Sequence, residues 1–368
     1  MALAGLVLLA LFLAFANGSN DVSKGIATLV GSGVSNFRAA VLWGTLWTVA
    51  GGLVAAFASQ GLVATFSGKG FLDHPVEGPA FLAAVATGAA LWVLFASRTG
   101  LPVSTTHAIA GALAGAGIVE EGVALLHWSS FGKAVALPLA LSPVVSIALI
   151  YAVFPLLRRA VSRVETYCLC IERDAVILEG GALAMSTVAA VPIVGRQEVC
   201  AGSPAVAARI SVGDGMHWFS AALTSFARSL NDTPKIVALA LAAAATLGVT
   251  GAGFYAAVAL GMGAGSLVAG FRVTETLAKK VTPMSPAEGF AANAVTAVLV
   301  GLASWVALPV STTHVSAGAI LGIGLRREAK SVHWRTVRDM LLAWLVTLPV
   351  AALAGAAAFA VFSRIFHV

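Results

Sequence analysis

The chain has 368 residues, of which 59% are hydrophobic and only 10% charged, and its mean hydropathy is +0.94. A soluble domain carries about 25% charged residues, so this composition excludes a soluble enzyme, a nucleic-acid-binding protein and a disordered scaffold. The formal charge of +6 matters less for its size than for the side of a bilayer on which the cations fall.

Residues 3–16 are apolar and end in Ala14-Phe15-Ala16, which mimics a signal-peptidase site. No Lys or Arg precedes them, and polar, motif-rich sequence follows, so they read as the first half of a membrane helix. A bilayer core takes about 20 apolar residues per helix. Such stretches occur at 5–36, 39–58, 80–97, 101–118 and 134–157. They resume at 215–247, 250–271, 289–307, 308–325 and 340–362. The spans 5–36 and 215–247 are long and interrupted by polar residues. The expected fold is an all-α polytopic membrane protein, with a first membrane repeat at 1–157, a connecting loop at 158–214 and a second repeat at 215–368.

With the N-terminus outside, sixteen of the 22 Lys and Arg fall in loops on the inner side. Lys69, Lys133 and Arg364 fall outside, and Lys24, Arg228 and Lys235 lie within spans. The bias predicts a cell (inner) membrane protein with both termini outside and the 158–214 loop cytoplasmic. A reducing compartment would leave Cys168, Cys170 and Cys200 as free thiols.

The two halves echo each other. Phe15-Ala16-Asn17-Gly18-Ser19-Asn20-Asp21-Val22-Ser23-Lys24 parallels Phe226-Ala227-Arg228-Ser229-Leu230-Asn231-Asp232-Thr233-Pro234-Lys235 at an offset of 211. Leu101-Pro102-Val103-Ser104-Thr105-Thr106-His107 recurs unchanged as Leu308-Pro309-Val310-Ser311-Thr312-Thr313-His314, at an offset of 207. Gly111 and Gly115 match Gly318 and Gly322, His127-Trp128 matches His333-Trp334, and Pro143 matches Pro349. Each half has an odd number of elements, so the second copy enters the membrane from the opposite side. Inverted-topology repeats are a transporter signature, with the site where interrupted helices meet.

Polar groups at membrane depth are costly and mark function by default. Asn20, Asp21, Lys24 and Thr28 largely share one helical face, and Asn231, Asp232 and Lys235 form the copy, where Pro234 predicts a helix break. Each Ser-Thr-Thr-His run follows a proline and reads as a helix start, where free N–H groups and hydroxyls converge. Ser104, Thr105, Thr106, Ser311, Thr312 and Thr313 are therefore candidate donors to an oxyanion. Lys24, Lys235 and Arg228 against Asp21 and Asp232 leave a formal +1, which suits an anion. The carboxylates could coordinate a driving ion, carry a proton, or simply form buried salt bridges with their lysines. His107 and His314 could touch substrate or hydrogen-bond across helices, and Arg228 could snorkel or cap a helix end.

No His-Glu-x-x-His occurs for a membrane zinc protease. A serine hydrolase built from Ser104, His107 and Asp21 would need one asymmetric site, whereas each component here occurs twice. The chain is not expected to be an enzyme, and groups gathered on broken helices suit a carrier better than an anion channel.

These residues resemble the inorganic phosphate transporter (PiT) family, which carries a Gly-Ala-Asn-Asp-x-Ala-Asn type signature near the start of each repeat. Here the signature reads Gly18-Ser19-Asn20-Asp21-Val22-Ser23-Lys24 and, more loosely, Ser229-Leu230-Asn231-Asp232-Thr233-Pro234-Lys235. The resemblance covers both membrane halves but not the 158–214 loop. It implies cation- or proton-coupled uptake of phosphate across the cytoplasmic membrane, with Ser-Thr-Thr at the anion and Asn-Asp at the cation. Sodium would then sit at Asn20, Asp21, Asn231 and Asp232, and no cofactor is implied beyond a coupling ion, H+ or Na+. The expected partners are inorganic phosphate or a similar oxyanion and the lipid bilayer, with no nucleic acid; a homodimer stays open. Both copies replace the second Asn of the signature with lysine, at Lys24 and Lys235. That departure favours proton-coupled or sodium-independent transport and keeps sulfate open as an alternative substrate.

Overall fold

The apolar runs of the first half fold as α1 (Ala2–Asp21), α2 (Ser23–Gly31), α3 (Phe37–Ala58), α4 (Gln60–Phe66), α5 (Pro79–Thr99), α6 (Thr105–Glu120), α7 (Trp128–Phe131) and α8 (Leu137–Val164). Those of the second half form α9 (Val212–Val237), α10 (Leu241–Thr246), α11 (Gly251–Ala269), α12 (Phe271–Lys279), α13 (Pro286–Trp305), α14 (Thr312–Arg327) and α15 (Trp334–Ile365). This computed structural model describes residues 2–365 apart from 59, 67–77, 124–126, 165–166, 173–174, 178–182, 186–190 and 197–205. Lys69 and Cys200 thus lie outside the described residues.

Seven of the described helices, counting α1 and α2 as one, are long and apolar enough to cross a membrane. The spans read at 101–118 and 308–325 are shorter helices than expected. Residues 101–104 and 308–311 are non-helical, because each proline disfavours helix in the residue before it and each serine caps the helix that follows. The interruption in 5–36 is slight: Val22 keeps helical dihedrals between α1 and α2. Its counterpart is larger but later than expected. α9 runs through Pro234 and ends at Val237, and residues 238–240 form a turn before α10.

The 158–214 segment is not simply a loop. α8 extends to Val164, and β1 (Tyr167–Glu172), β4 (Val191–Arg196) and β5 (Val206–Ser211) form an antiparallel sheet of order β4-β1-β5. A two-stranded pair, β2 (Ala175–Ile177) and β3 (Leu183–Met185), accompanies it. The Tyr-Cys-Leu-Cys-Ile run of β1 lacks helical periodicity and suits a strand. Cys168, buried in β1, is disulfide-bonded, which corrects the expectation of three free thiols. That expectation rested on the compartment alone, and strand pairing was not part of it.

Packing between the halves is reciprocal. α1 lies on α11 as α9 lies on α3, and α6 lies on α15 as α14 lies on α8. Small residues allow these approaches. A Cβ on Gly265 would overlap the carbonyl of Phe15, and one on Gly51 would overlap that of Phe226, the equivalent residue of the other half. Gly111 and Gly115 meet the Leu348 and Ala352 carbonyls, whereas Gly318 and Gly322 meet Pro143 and Ile150. Gly115→Val should therefore force α6 off α15 and cost at least about 1–3 kcal/mol. Thermal unfolding of both variants checks this, because Gly5→Ala, with open space at that position, should be neutral.

Candidate functional site

The buried polar ends of α1 and α9 face each other. Asn17 and Arg228 occupy equivalent positions, and the Arg228 guanidinium donates to Asn17 Oδ1 at 3.1 Å. Its other terminal nitrogen donates to Thr48 Oγ1 at 2.6 Å. Arg228 is 1% exposed. It neither snorkels nor caps a helix; it ties α9 to α1 and α3. The Asn17 amide nitrogen in turn donates to Asp21 Oδ2 (2.9 Å), Thr105 Oγ1 (3.0 Å) and Asp232 Oδ2 (3.3 Å). One amide therefore links both carboxylates and a hydroxyl of the Ser-Thr-Thr-His run.

Each lysine lies against its own Asn-Asp pair. Lys24 Nζ donates to Asn20 O (2.8 Å), Asn20 Oδ1 (2.6 Å) and Asp21 Oδ1 (2.6 Å). Lys235 Nζ donates to Asp232 Oδ1 (3.0 Å), Thr106 Oγ1 (2.6 Å), Val310 O (3.3 Å) and Asn231 Oδ1. Both ammonium groups are buried and oxygen-bound, so the buried salt bridges, one of the alternatives for these carboxylates, are present. Charge buried this deeply is tolerated only when paired and hydrogen-bonded.

The six hydroxyls divide by position. Ser104 and Ser311 are N-caps, accepting from the backbone N–H of His107 and His314 at 3.2 Å each. Thr313 Oγ1 donates to Val103 O (2.7 Å) and Thr106 Oγ1 to Val310 O (3.4 Å), a reciprocal tie between the two pre-helix segments. Thr105 reaches Asn17 and Asp21, the latter at 3.4 Å. Thr312 is buried at the equivalent position. His107 and His314 come together with ring centroids 4.7 Å apart.

Ser97 and Ser304 escaped the sequence reading. Asn20 Nδ2 donates to Ser97 Oγ at 3.1 Å and Asn231 Nδ2 to Ser304 Oγ at 3.0 Å, orienting both amides in the same way. The signal was present: an Ala-Ser pair precedes each Leu-Pro-Val-Ser-Thr-Thr-His run at the same distance, Ala96-Ser97 and Ala303-Ser304. Asn17, aligned with Arg228 in the repeat, joins Asp21, Thr105, Asp232 and Arg228 across the two halves, a role the sequence alone does not indicate.

A multi-pass helical membrane protein with ion pairs and hydroxyls gathered in its buried interior has the build of a carrier. A family model described as the phosphate transporter family matches residues 7–355, and the chain belongs to that family. The family is one of transporters, not enzymes. The chain is 29% identical to a Rhizobium meliloti protein named "Probable low-affinity inorganic phosphate transporter", over 96% of this chain and 94% of that one. It is also 29% identical to a chloroplastic inorganic phosphate transporter of Arabidopsis thaliana, over 94% of this chain and 70% of that one. A solved structure entitled "The sodium-dependent phosphate transporter" shares the fold, with a TM-score of 0.75, 22% identity and 99% of each chain covered.

Proposed function

We propose that the chain is a secondary carrier moving inorganic phosphate across the cell membrane as a symporter, without sodium as its driving ion. One observation carries this reading: two Asn-Asp-Lys triplets and two hydroxyl-bearing helix N-termini converge in the buried interior, linked through Asn17. Helix N-termini with free donors suit an oxyanion. Thr105 and Thr312 take the anion, with Ser104, Ser311, Thr106 and Thr313 shaping the two termini that present it. Inverted repeats, supported by the reciprocal packing of the two halves, would let the same groups face either side in turn.

The lysines bear on coupling. A sodium ion is held by a shell of oxygens, and each Nζ already sits in such a shell of carboxylate, amide and carbonyl or hydroxyl oxygens. A tethered ammonium cannot cross with the substrate, so it couples no sodium gradient. Labelled-phosphate counterflow into proteoliposomes preloaded with phosphate tests the substrate directly. Excess unlabelled phosphate should abolish the signal and excess sulfate should leave most of it; equal competition by sulfate would overturn the phosphate assignment.

The cation bias supports termini outside and residues 158–214 in the cytoplasm. The Cys168 disulfide pulls the other way, because such bonds persist in oxidising compartments. In intact cells, a membrane-impermeant thiol reagent should label Lys133→Cys and miss Arg326→Cys. The opposite pattern would reverse the orientation.

A further inference from the structure

We propose that His107 and His314 together hold one exchangeable proton that binds and leaves with the anion, which rests on the carrier reading above and supplies its coupling ion. Each histidine lies three residues past its capping serine, one turn into the helix whose start carries the anion hydroxyls. The two rings, 6% and 4% exposed, tilt against each other at 4.7 Å. His107 Nδ1 is buried and makes no hydrogen bond with the described residues. The Trp344 indole, anchored by its Nε1 donating to Pro102 O at 2.9 Å, lies 4.0 Å from the His314 ring.

The surroundings decide how a proton would reach this pair. Behind it lies a cavity of about 610 Å³ between α8 and α15, lined by apolar residues such as Pro143, Ile147, Met340 and Leu341. Among the described residues of its lining, only the two histidines are titratable. α5 and α13 bury no titratable group. The charged groups near the pair come from the other side: Lys235 on Thr106, with Asp232 beside it, and Asp21 with Lys24 beyond Thr105. The proton therefore enters from the anion side.

Charge then links the two events. Two helix N-termini and Lys235 already surround the pair with positive potential. Asp21 and Asp232 are already paired with Lys24 and Lys235, so a proton added there gains a further counter-charge when an oxyanion sits at the hydroxyls one turn away. By linkage, proton and anion each strengthen the binding of the other. Two imidazolium rings at this separation would repel, so the pair takes a single proton.

Calorimetry of phosphate binding in two buffers of different ionisation enthalpy measures the protons taken up per anion. The wild type should take up one, and His107→Gln with His314→Gln should take up none and bind phosphate more weakly, as the linkage requires. A purely structural role would leave the ratio unchanged whatever the affinity, which overturns the proposal. Uptake of one proton by the double variant also overturns it, since the proton then rides on the anion or on another group. Histidine-labelled wild-type protein gives a second readout that needs no variant. Adding phosphate should move imidazole nitrogen resonances towards the protonated form, and unmoved resonances with phosphate bound would overturn the pairing. Phosphate binding without proton uptake by the wild type overturns this inference alone. Failure of the wild type to bind phosphate overturns the carrier reading with it.

Discussion

A chain carrying Lys24→Asn and Lys235→Asn is expected to be far less stable than the wild type in sodium-free buffer, and to recover in part when sodium is added. Each lysine neutralises a buried carboxylate, and Lys24 Nζ alone donates to three oxygens. Removing one partner of a buried ion pair costs about 3–5 kcal/mol, because the remaining charge is left uncompensated. Asparagine restores the residue that the family signature carries there and leaves room for a bare cation among the same oxygens. Thermal unfolding in sodium chloride and in choline chloride separates the effects. The double variant should be selectively stabilised by sodium and the wild type should respond equally to both salts. Equal sodium stabilisation of both proteins would mean that the ammonium groups do not fill the cation positions.

Thr105→Val together with Thr312→Val is expected to weaken phosphate binding severely while leaving the protein folded. Losing a hydrogen bond to a charged partner costs about 1.5–3 kcal/mol, or about ten- to a hundredfold in affinity. Thr106→Val with Thr313→Val should behave differently. Those hydroxyls tie the two pre-helix segments together through Val310 O and Val103 O, and Thr106 also accepts from Lys235. Their loss should appear first in the unfolding temperature. Unchanged apparent affinity in the Thr105, Thr312 variant would move the anion site elsewhere.

Much of this arrangement was legible in the sequence because membrane burial leaves so few reasons for a polar residue. The Asp-x-x-Lys spacing places both side chains on adjacent helical positions, and both pairs form. Pro-x-Ser-Thr-Thr reads as a helix start, and both helices begin at the predicted place with serine as cap. What the sequence did not reveal depends on contacts between distant segments. Nothing local indicates that Asn17 would join Asp21 to Asp232, or that Arg228 would reach Thr48 on α3. Pro234 does not break the helix where its missing donor predicts, since α9 passes through it before turning. The sheet at 167–211 was missed because its strands are short and interspersed with polar sequence.

The measurement that bears most directly on the central claim is phosphate accumulation by purified protein in proteoliposomes under one imposed gradient at a time. Acid outside with no sodium on either side should drive labelled phosphate inward above its equilibrium level, and a sodium gradient at uniform pH should add nothing. Accumulation that requires the sodium gradient and ignores the pH gradient would contradict the account.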